Sequence, residues 1–575
     1  MADLEEKDRA EETDASASEK TQKNKTGINT AKNVLIQGTI LAAASIIAKI
    51  IGLIYRIPLY RILGDVGNSY YSTANEIYSI ILMISSFSLP LAVSRLMSER
   101  IQKGEMRNAN KVFLCSMRFA VISGGILALI TYLFAGIITK YVMNVEYAKY
   151  GLRVLAPVIL IFAITGVFRG FFQGFSNMVP TAISQVIEQL VNALVSIWGA
   201  WVLIDYGRSL VAEGENELAA PGWGAAGATF GTVASVTVAL LFMMYLYSRF
   251  NRRFRHSIRK DQTMKRESSR YLYRILILTI LPIILSTLVY NISNVLDQGI
   301  FNAVLKSQNY TEKQYATIWG IYTGRFRVLM NVPLSLASSL GPAVVPSLTA
   351  AVAAKDKASA VRTVHSSTRY TMIVTIPCAF GMAALGGPII RMLFHPESGM
   401  PLSSGIMQAG AVVIILYALS TLTTAILQGL GRLREPLIHN AVALAVHVIA
   451  LVVMLRYFNL NIYAVLYSNA VFALVVCVMN AMSIRRYIFY QQEIRKTFLI
   501  PLLSSIVMAF ASYAVWFVLN KLFGNSIATI LAILAGIVVY LISLVAFRGL
   551  TESEMRKLPK GEALIGLFRK MGLLR

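Results

Sequence analysis

The chain is poor in the residues that soluble proteins place at their surfaces. Only 14% of its 575 residues are charged, against about 25% in typical soluble domains. No long polar intervals divide it into several soluble domains. Its three cysteines exclude a disulfide-rich secreted scaffold, and its five histidines show no metal-ligand spacing. Walker loops, HExxH sequences and paired-cysteine motifs are absent as well. We therefore expect a protein that is not an enzyme and has neither a metal site nor a cofactor.

Apolar residues are abundant instead, at 56% of the chain, and the mean hydropathy is +0.60. Apolar runs of about 20 residues are long enough to cross a bilayer as helices. The pattern predicts an all-α, polytopic membrane protein with about fourteen transmembrane helices. The predicted spans are 37–62, 70–96, 112–138, 152–172, 181–204, 224–247, 272–296, 317–350, 370–394, 405–430, 437–455, 462–484, 498–519 and 527–547. Spans two and eight are long and contain proline, so we expect them to bend or tilt.

The net charge of +25 would suit nucleic acid only if the basic residues formed one face of a soluble domain. Lysine and arginine lie mostly in short gaps between apolar runs, so no nucleic-acid partner is expected. With a cytosolic amino terminus, the inner loops contain 23 of these residues and the outer loops seven. The positive-inside rule therefore predicts that both termini are cytosolic. Residues 1–32 are polar and predict a disordered cytosolic tail.

Two short sequences recur at a long interval. FFQGFSNMVP after span four resembles ILQGLGRLREP after span ten, and SLPLAVSRL resembles GPAVVPSL, with offsets of 255 and 252 residues. Six spans separate each pair, which predicts parallel repeats and hence two lobes around a central cavity, as in an alternating-access transporter. The predicted organisation is an N-terminal lobe of spans one to six at 33–250, a basic cytosolic loop at 251–270, a C-terminal lobe of spans seven to twelve at 271–490, spans thirteen and fourteen at 491–550 and a basic cytosolic tail at 551–575.

Several ionisable residues fall inside predicted spans, where a charge is costly and usually faces a cavity or a partner. Arg325 and Arg327 lie deep in span eight and are only two residues apart, so we expect one of them to face the cavity. Arginine binds phosphate in planar, bidentate geometry, which points to a transported anion with a phosphate or pyrophosphate head. Snorkelling to the headgroups is predicted for Arg61, Arg95, Arg118 and Arg169. From the residues alone, the cavity candidates are Arg56 and one of Arg325 and Arg327, with Glu76 among the few acidic residues inside the spans.

Span seven has a polar face made by Asn291, Asn294 and Asp297. Its oxygens could hold Na⁺ or relay a proton, with Asn440 of span eleven as a further ligand. The alternative is that this face packs against a neighbouring helix. His447, also in span eleven, is predicted to be packed rather than functional. The basic segment 248–270 either orients the chain against anionic lipid or binds a regulatory partner.

The segments IIGLIYRIPLYRILGDVGNSYYS, SFSLPLAVSRLMSERIQKG and VPLSLASSLGPAVVPSL, with the QG…P turns, resemble polysaccharide flippases of Gram-positive bacteria. These belong to the multidrug/oligosaccharidyl-lipid/polysaccharide exporter superfamily, and the likeness is strongest to its lipid II flippase and stage V sporulation protein B-like branch. The likeness implies fourteen helices in two lobes, located in a bacterial cell membrane. It also implies that the cargo is undecaprenyl-pyrophosphate-linked peptidoglycan precursor, moved to the outer leaflet.

In such flippases, arginines of spans one, two and eight meet the pyrophosphate. Arg56 and Arg327 match by position, with Arg325 as the alternative. No arginine lies between Tyr78 and Ser86, where Gram-negative relatives have one, and Arg95 and Lys49 are the candidates to replace it. The family also suggests coupling to the membrane potential or to a cation.

The expected partners are a lipid-linked oligosaccharide and membrane lipids, and we expect a monomer. Four rival functions remain open at this point. The chain could flip another polyprenyl-linked glycan of teichoic acid, capsule or spore cortex. It could also be a drug–cation antiporter, an integral glycosyltransferase or polymerase, or a non-transporting scaffold.

Overall fold

The structure is a computed structural model in which every described element is helical. It describes residues 37, 40, 41, 43–86, 88–263, 266–339, 341–396, 398–550, 562, 565, 566 and 569, without the side chains of 282, 283, 285–287, 289, 290, 339 and 341–343. Within these residues there is no β-strand. The predicted tail 1–32 lies outside the described residues, as does most of 551–575.

Seven helices form the first part of the described chain. They are α1 (Ala43–Ile54), α2 (Arg56–Ser85), α3 (Leu89–Gln102), α4 (Met106–Ile137), α5 (Ala148–Gly174), α6 (Val179–Ala212) and α7 (Ala219–Lys260). A π-helical turn, Ile138–Val142, extends α4. The basic segment predicted as a loop at 251–270 is partly helical, because α7 continues to Lys260.

Nine helices follow in the second part. They are α8 (Ser269–Ser307), α9 (Glu312–Ile321), α10 (Arg327–Ser339), α11 (Gly341–Ala353), α12 (Lys357–Phe394), α13 (Met400–Gly429), α14 (Arg434–Arg456), α15 (Ile462–Ile488) and α16 (Ile500–Ala546). A π-helical turn, Tyr322–Phe326, joins α9 to α10, and another, Arg495–Leu499, precedes α16. These elements make the chain a multi-pass, all-helical protein.

Ten helical stretches of the described residues are long and apolar enough to cross a membrane. Two of them contain a sharp internal break at a glycine with positive φ, Gly64 at 66° and Gly524 at 75°. Residues with a Cβ rarely adopt this conformation, so glycine allows the chain to reverse without a longer loop. The breaks fall between predicted spans one and two and between spans thirteen and fourteen. The total of fourteen spans remains a prediction.

The helices of spans two and eight, which were predicted to bend or tilt, are interrupted. Between α2 and α3 the helix stops at Ser85 and restarts at Leu89, with Pro90 in the first turn of α3. Proline is tolerated there because the first turn leaves its N–H groups unbonded in any case. Span eight, predicted as 317–350, is divided into α9, the π-turn, α10 and α11, with Pro333 inside α10.

The outer surface is apolar, as expected for a surface in contact with lipid rather than water. Leu194 and Phe510, for example, are each 73% exposed. Inside, small residues let helices approach closely. Gly199 of α6 meets Gly227 of α7 backbone to backbone, and a Cβ on either residue would overlap the other helix. Such small-residue contacts are a common basis of helix association in membranes.

The first and second parts of the chain are in contact at one end of the molecule. Here α2 packs against α9 and the π-turn that follows it. Asn68 donates hydrogen bonds to the Gly320 carbonyl at 3.2 Å and to Thr323 at 3.1 Å. A Cβ on Gly320 would overlap the carbonyl oxygen of Asp65, so the contact requires glycine. We call this contact region the closed end. It includes residues of several predicted outer loops.

Gly320→Ala is expected to disfavour the closed end, because overpacking a tight contact costs about 1–3 kcal/mol. The measurement is the yield of a disulfide between Asn68→Cys and Thr323→Cys, in a chain whose native cysteines are replaced by alanine. Gly125→Ala is the matched control, since a Cβ there meets nothing within 4 Å. Equal disulfide yields in the two glycine variants would show that the closed end does not depend on this contact.

Candidate functional site

A polar cavity lies between the two parts of the chain and adjoins the closed end, whose Asn68 and Thr323 line its smaller chamber. It has two adjoining chambers of about 290 and 600 Å³. The residues shared by both chambers are Arg56, Tyr71, Asn75, Val328 and Asn331. Helices α1, α2, α6 and α7 contribute one side of the cavity, and α8, the π-turn before α10, and α10 contribute the other. A bound molecule would therefore contact both parts of the chain at once.

Two cations in this cavity, Arg56 and Lys49, form no salt bridge with any residue that the structure describes. Arg56 begins α2, lines both chambers and is exposed, and it forms no hydrogen bond or ion pair with any described residue. Lys49 of α1 lines the larger chamber and is likewise unpaired among the described residues. Their charges are available to an incoming anion.

Arg327 lines the smaller chamber but is already paired. Its Nη1 forms a salt bridge with Glu76 of α2, and its Nη2 donates a 3.4 Å hydrogen bond to Asn294 of α8. The Arg327 side chain is 24% exposed, so it remains accessible from the cavity. Glu76 and Asn291 line the same chamber. Arg327 and Glu76 thus connect the two parts of the chain across the cavity.

Arg325 points elsewhere, into the closed end. Its Nη2 contacts both carboxylate oxygens of Asp65, at 2.8 and 3.0 Å, and its Nε donates to the Tyr60 hydroxyl at 2.6 Å. Its Nη1 donates to Ser403 at 2.7 Å and to the Ser398 carbonyl at 3.1 Å. The side chain is only 3% exposed. Arg325 therefore closes the molecule and does not line the cavity.

The remaining predicted site residues lie outside the cavity. Arg95 is exposed on α3, towards Glu99 at the carboxyl end of that helix. Asn440 of α14 is buried, and its Oδ1 has no partner among the described residues. Asp297 is buried one turn beyond Asn294 and accepts hydrogen bonds from Asn469 and His447. The polar face of α8 therefore both lines the cavity and packs against neighbouring helices.

The structure corrects the prediction made for Arg169 and adds a contact to the one made for His447. Arg169 is buried, with hydrogen bonds to Ser184 at 3.1 Å and to Glu188 at 2.7 Å, so the prediction that it snorkels is wrong. Its partner lies 19 residues further along, on the next helix. His447 is fully buried, as the packing prediction requires, but it also contacts a carboxylate. The burial of His447 therefore does not exclude a functional role for it.

Sequence reasoning missed the amides that surround the cations. Asn75 and Asn331 line both chambers, and Gln189 and Asn192 line the larger one. Each lies inside a predicted span, so polarity alone could have identified them. Amide side chains both donate and accept hydrogen bonds, which suits a sugar or peptide. The described residues contain no group of three or more His, Cys, Asp or Glu side chains that could hold a metal ion.

Comparison with known proteins identifies relatives along nearly the whole chain. The lipid II flippase MurJ of Bacillus subtilis is 23% identical over 561 residues, which cover 93% of this chain and 98% of that protein. Stage V sporulation protein B of the same organism is 24% identical over 537 residues, covering 92% and 98%. The predicted resemblance is confirmed.

Solved structures share the fold. A lipid II flippase MurJ in an inward closed conformation superposes with a TM-score of 0.63 at 16% identity, covering 88% of this chain and 98% of that one. An inward-facing multidrug resistance MATE transporter of the MOP superfamily gives a TM-score of 0.62 at 17% identity, with coverages of 76% and 95%. The fold is that of the MOP transporters.

The lipid II flippase MurJ and the two solved structures are named as flippases or a transporter and not as enzymes, which confirms the prediction that the chain is not an enzyme. The family model described as MatE matches residues 322–454. The one described as polysaccharide biosynthesis protein matches residues 34–352, more than half of the sequence. The chain belongs to the polysaccharide biosynthesis protein family.

Proposed function

We propose that the protein is an alternating-access flippase that moves an undecaprenyl-pyrophosphate-linked peptidoglycan precursor, lipid II, from the inner to the outer leaflet. The observation that supports this most directly is Arg56, which faces a cavity between the two parts of the chain and forms no salt bridge with a described residue. Guanidinium groups bind phosphate oxygens strongly in a water-poor site. The relatives include a lipid II flippase, which favours this cargo among polyprenyl-linked glycans.

The charge balance of the cavity favours an anion. Its lining includes the cations Lys49, Arg56 and Arg327 and the anions Glu76 and Glu188. Both anions are already neutralised, Glu76 by Arg327 and Glu188 by Arg169, which lies outside the lining. Two cationic groups are left over. A cationic drug would be repelled by this arrangement, so the drug–cation antiporter is the weaker alternative.

The proposed binding residues for the pyrophosphate are Arg56 and Arg327, with Lys49 as a further cation. When the pyrophosphate binds, the salt bridge between Arg327 and Glu76 would break. The amides of the cavity would bind the sugar and peptide. Arg325 and Arg95 are not included, because one is held in the closed end and the other is on α3. The isoprenoid chain would stay in lipid, beside the apolar residues Ile46, Ile50 and Leu336 at the edge of the larger chamber.

Transport requires the two lobes to rock against each other. We propose that 33–250 and 271–490 are these lobes and that both termini are cytosolic, so that the closed end faces outwards. In support, α2–α7 pack mainly among themselves, as do α11–α15. Opening the closed end while closing the cavity would move the head group across. The membrane potential would contribute about 2.3 kcal/mol per charge per 100 mV.

Arg56→Ala and Arg327→Ala are each expected to weaken binding of undecaprenyl pyrophosphate by about 10- to 150-fold. This range is the loss of binding free energy expected when hydrogen bonds to a charged group are removed, about 1.5–3 kcal/mol. Binding to purified protein in nanodiscs is the measurement. Arg208→Ala is the control, because Arg208 is exposed and paired only with Asp205. Unchanged binding in both cavity variants would contradict the proposed site.

Glu76→Gln is expected to tighten binding of the same lipid, because it frees Arg327 and removes a negative charge from the cavity. Glu217→Gln is the matched control, since Glu217 is exposed and paired only with Lys313. A drug–cation antiporter predicts the opposite result. Glu76 would then attract the drug, so Glu76→Gln would weaken binding of a lipophilic cation. Tighter cation binding by the unmodified protein than by Glu76→Gln would support that alternative.

The substrate is tested by expressing the chain in bacteria depleted of their own lipid II flippase. We expect growth to be restored and lipid II to become accessible outside the cell. Arg56→Ala at equal membrane level should restore neither, whereas Arg208→Ala should restore both. If the unmodified chain is present in the membrane and fails, the cargo is another polyprenyl-linked glycan or a different class of molecule.

A further inference from the structure

The last three turns of α7 present a strongly basic surface. Its six exposed cations are Arg249, Arg252, Arg253, Arg255, Arg259 and Lys260. At about 100° per residue these side chains occupy one half of the helix circumference, opposite Phe250 and Phe254. None of the six forms a salt bridge with a residue that the structure describes. We call these six residues the basic face.

The opposite side of the same turns is fixed to the protein by aromatic packing. The ring of Phe254 is 5.2 Å from that of Phe171 and 5.6 Å from that of Phe175, between centroids. Phe250 is 5.1 Å from Phe175. Buried aromatic rings contribute large apolar areas to packing. The basic face is therefore held in one orientation, and a binding partner does not have to gather its charges.

The carboxylates that follow the basic face along the chain are already engaged. Asp261 accepts a hydrogen bond from the backbone N–H of Arg107 at 2.6 Å. Glu267 forms a salt bridge with Arg100 at 2.7 Å. The negative charge that would balance the basic face must therefore come from elsewhere.

The basic face extends past the lipid headgroups. With 42 residues, α7 is about 63 Å long, whereas a bilayer with its headgroups is about 40–45 Å thick. Predicted span six ends at residue 247, so Arg255 lies about 12 Å and Lys260 about 20 Å beyond that end. The headgroup layer is only about 5–8 Å thick on each side. Anionic headgroups therefore reach the first residues of the basic face, and the residues towards Lys260 need another anion.

We propose that the basic face binds the segment 3–14 of the same chain. This segment, DLEEKDRAEETD, contains seven acidic and two basic residues, a net charge of −5 against six cations. We call it the acidic segment. Complementary charge patches of this kind attract each other and fix which surfaces meet. The inference concerns the chain alone and does not depend on the cargo.

The covalent path from the acidic segment to the basic face is short. Gln37 Oε1 accepts a 3.0 Å hydrogen bond from the N–H of Met178, three residues after Phe175, which packs beneath the basic face. The 22 residues between Asp14 and Gln37 span about 25 Å as a random coil and about 70 Å when extended. Tethering at such lengths gives an effective concentration in the millimolar range. This concentration compensates for surface ion pairs that are individually weak.

The experiment measures the rate of disulfide formation between Ala10→Cys in the acidic segment and His256→Cys, which is exposed beside Arg255. The full chain is used, with its native cysteines replaced by alanine, in nanodiscs of phosphatidylcholine. Each exposed ion pair that is lost should lower the docked fraction by about 1.4- to 5-fold. Replacing three cations of the basic face at once should therefore slow the reaction at least about threefold. The replacements are Arg252→Gln, Arg255→Gln and Arg259→Gln.

The matched control removes three exposed arginines of the second part of the chain, by Arg485→Gln, Arg486→Gln and Arg495→Gln. It should leave the rate unchanged. Raising the salt concentration from 0.1 to 1 M shortens the Debye length from about 10 to 3 Å and should slow the reaction of the chain with an intact basic face. This measurement needs no further substitution, so it decides the matter even if the triple variant does not fold. Equal rates in the two triple variants, or a rate that salt does not change, would overturn the proposal.

The membrane surface is the rival occupant of the basic face. Replacing about a third of the phosphatidylcholine by anionic phosphatidylglycerol should leave the disulfide rate of the chain with an intact basic face unchanged. A fall to the rate of the basic-face variant would assign these cations to anionic lipid and overturn the proposal.

Discussion

The buried pair of Arg325 and Asp65 holds the two parts of the chain together at the closed end. A charged group inside a protein is stable only when it is paired, and losing one partner of a buried pair costs about 3–5 kcal/mol. The closed end therefore cannot separate gradually. It either keeps the pair and its hydrogen bonds to Tyr60 and Ser403, or opens far enough for water to reach both charges. This all-or-none property is what the proposed alternating-access mechanism needs, because a partly open end would leak.

The two arginines of the π-turn and α10 illustrate how one short segment serves two purposes. Arg325 lies in the π-turn and points into the closed end, whereas Arg327 begins α10 and points into the cavity. Residues two apart on a helix project in different directions. π-Turns are frequent at functional sites. Because one rigid segment contains both side chains, a movement that separates Arg325 from Asp65 also moves Arg327 relative to Glu76.

Hydropathy and charge predicted a membrane protein with apolar helices, because these properties are local to each span. The glycine breaks at Gly64 and Gly524 were visible as the boundaries between spans. Pairing was not predictable, because Asp65 and Arg325 are 260 residues apart and Asp297 and His447 are 150 apart. Composition gives the residue types but not which helices become neighbours. For the same reason, the residues alone predicted that one of Arg325 and Arg327 faces the cavity but not which one, and the direction of each side chain distinguishes them.

The salt bridge between Glu76 and Arg327 has a further consequence for how an empty carrier behaves. Without cargo, an isolated arginine in the cavity would attract any small anion, whereas an internal carboxylate keeps it occupied. The pyrophosphate of the proposed cargo carries more charge than one carboxylate and can contact Arg56 at the same time, so it would displace Glu76 where a weaker anion would not.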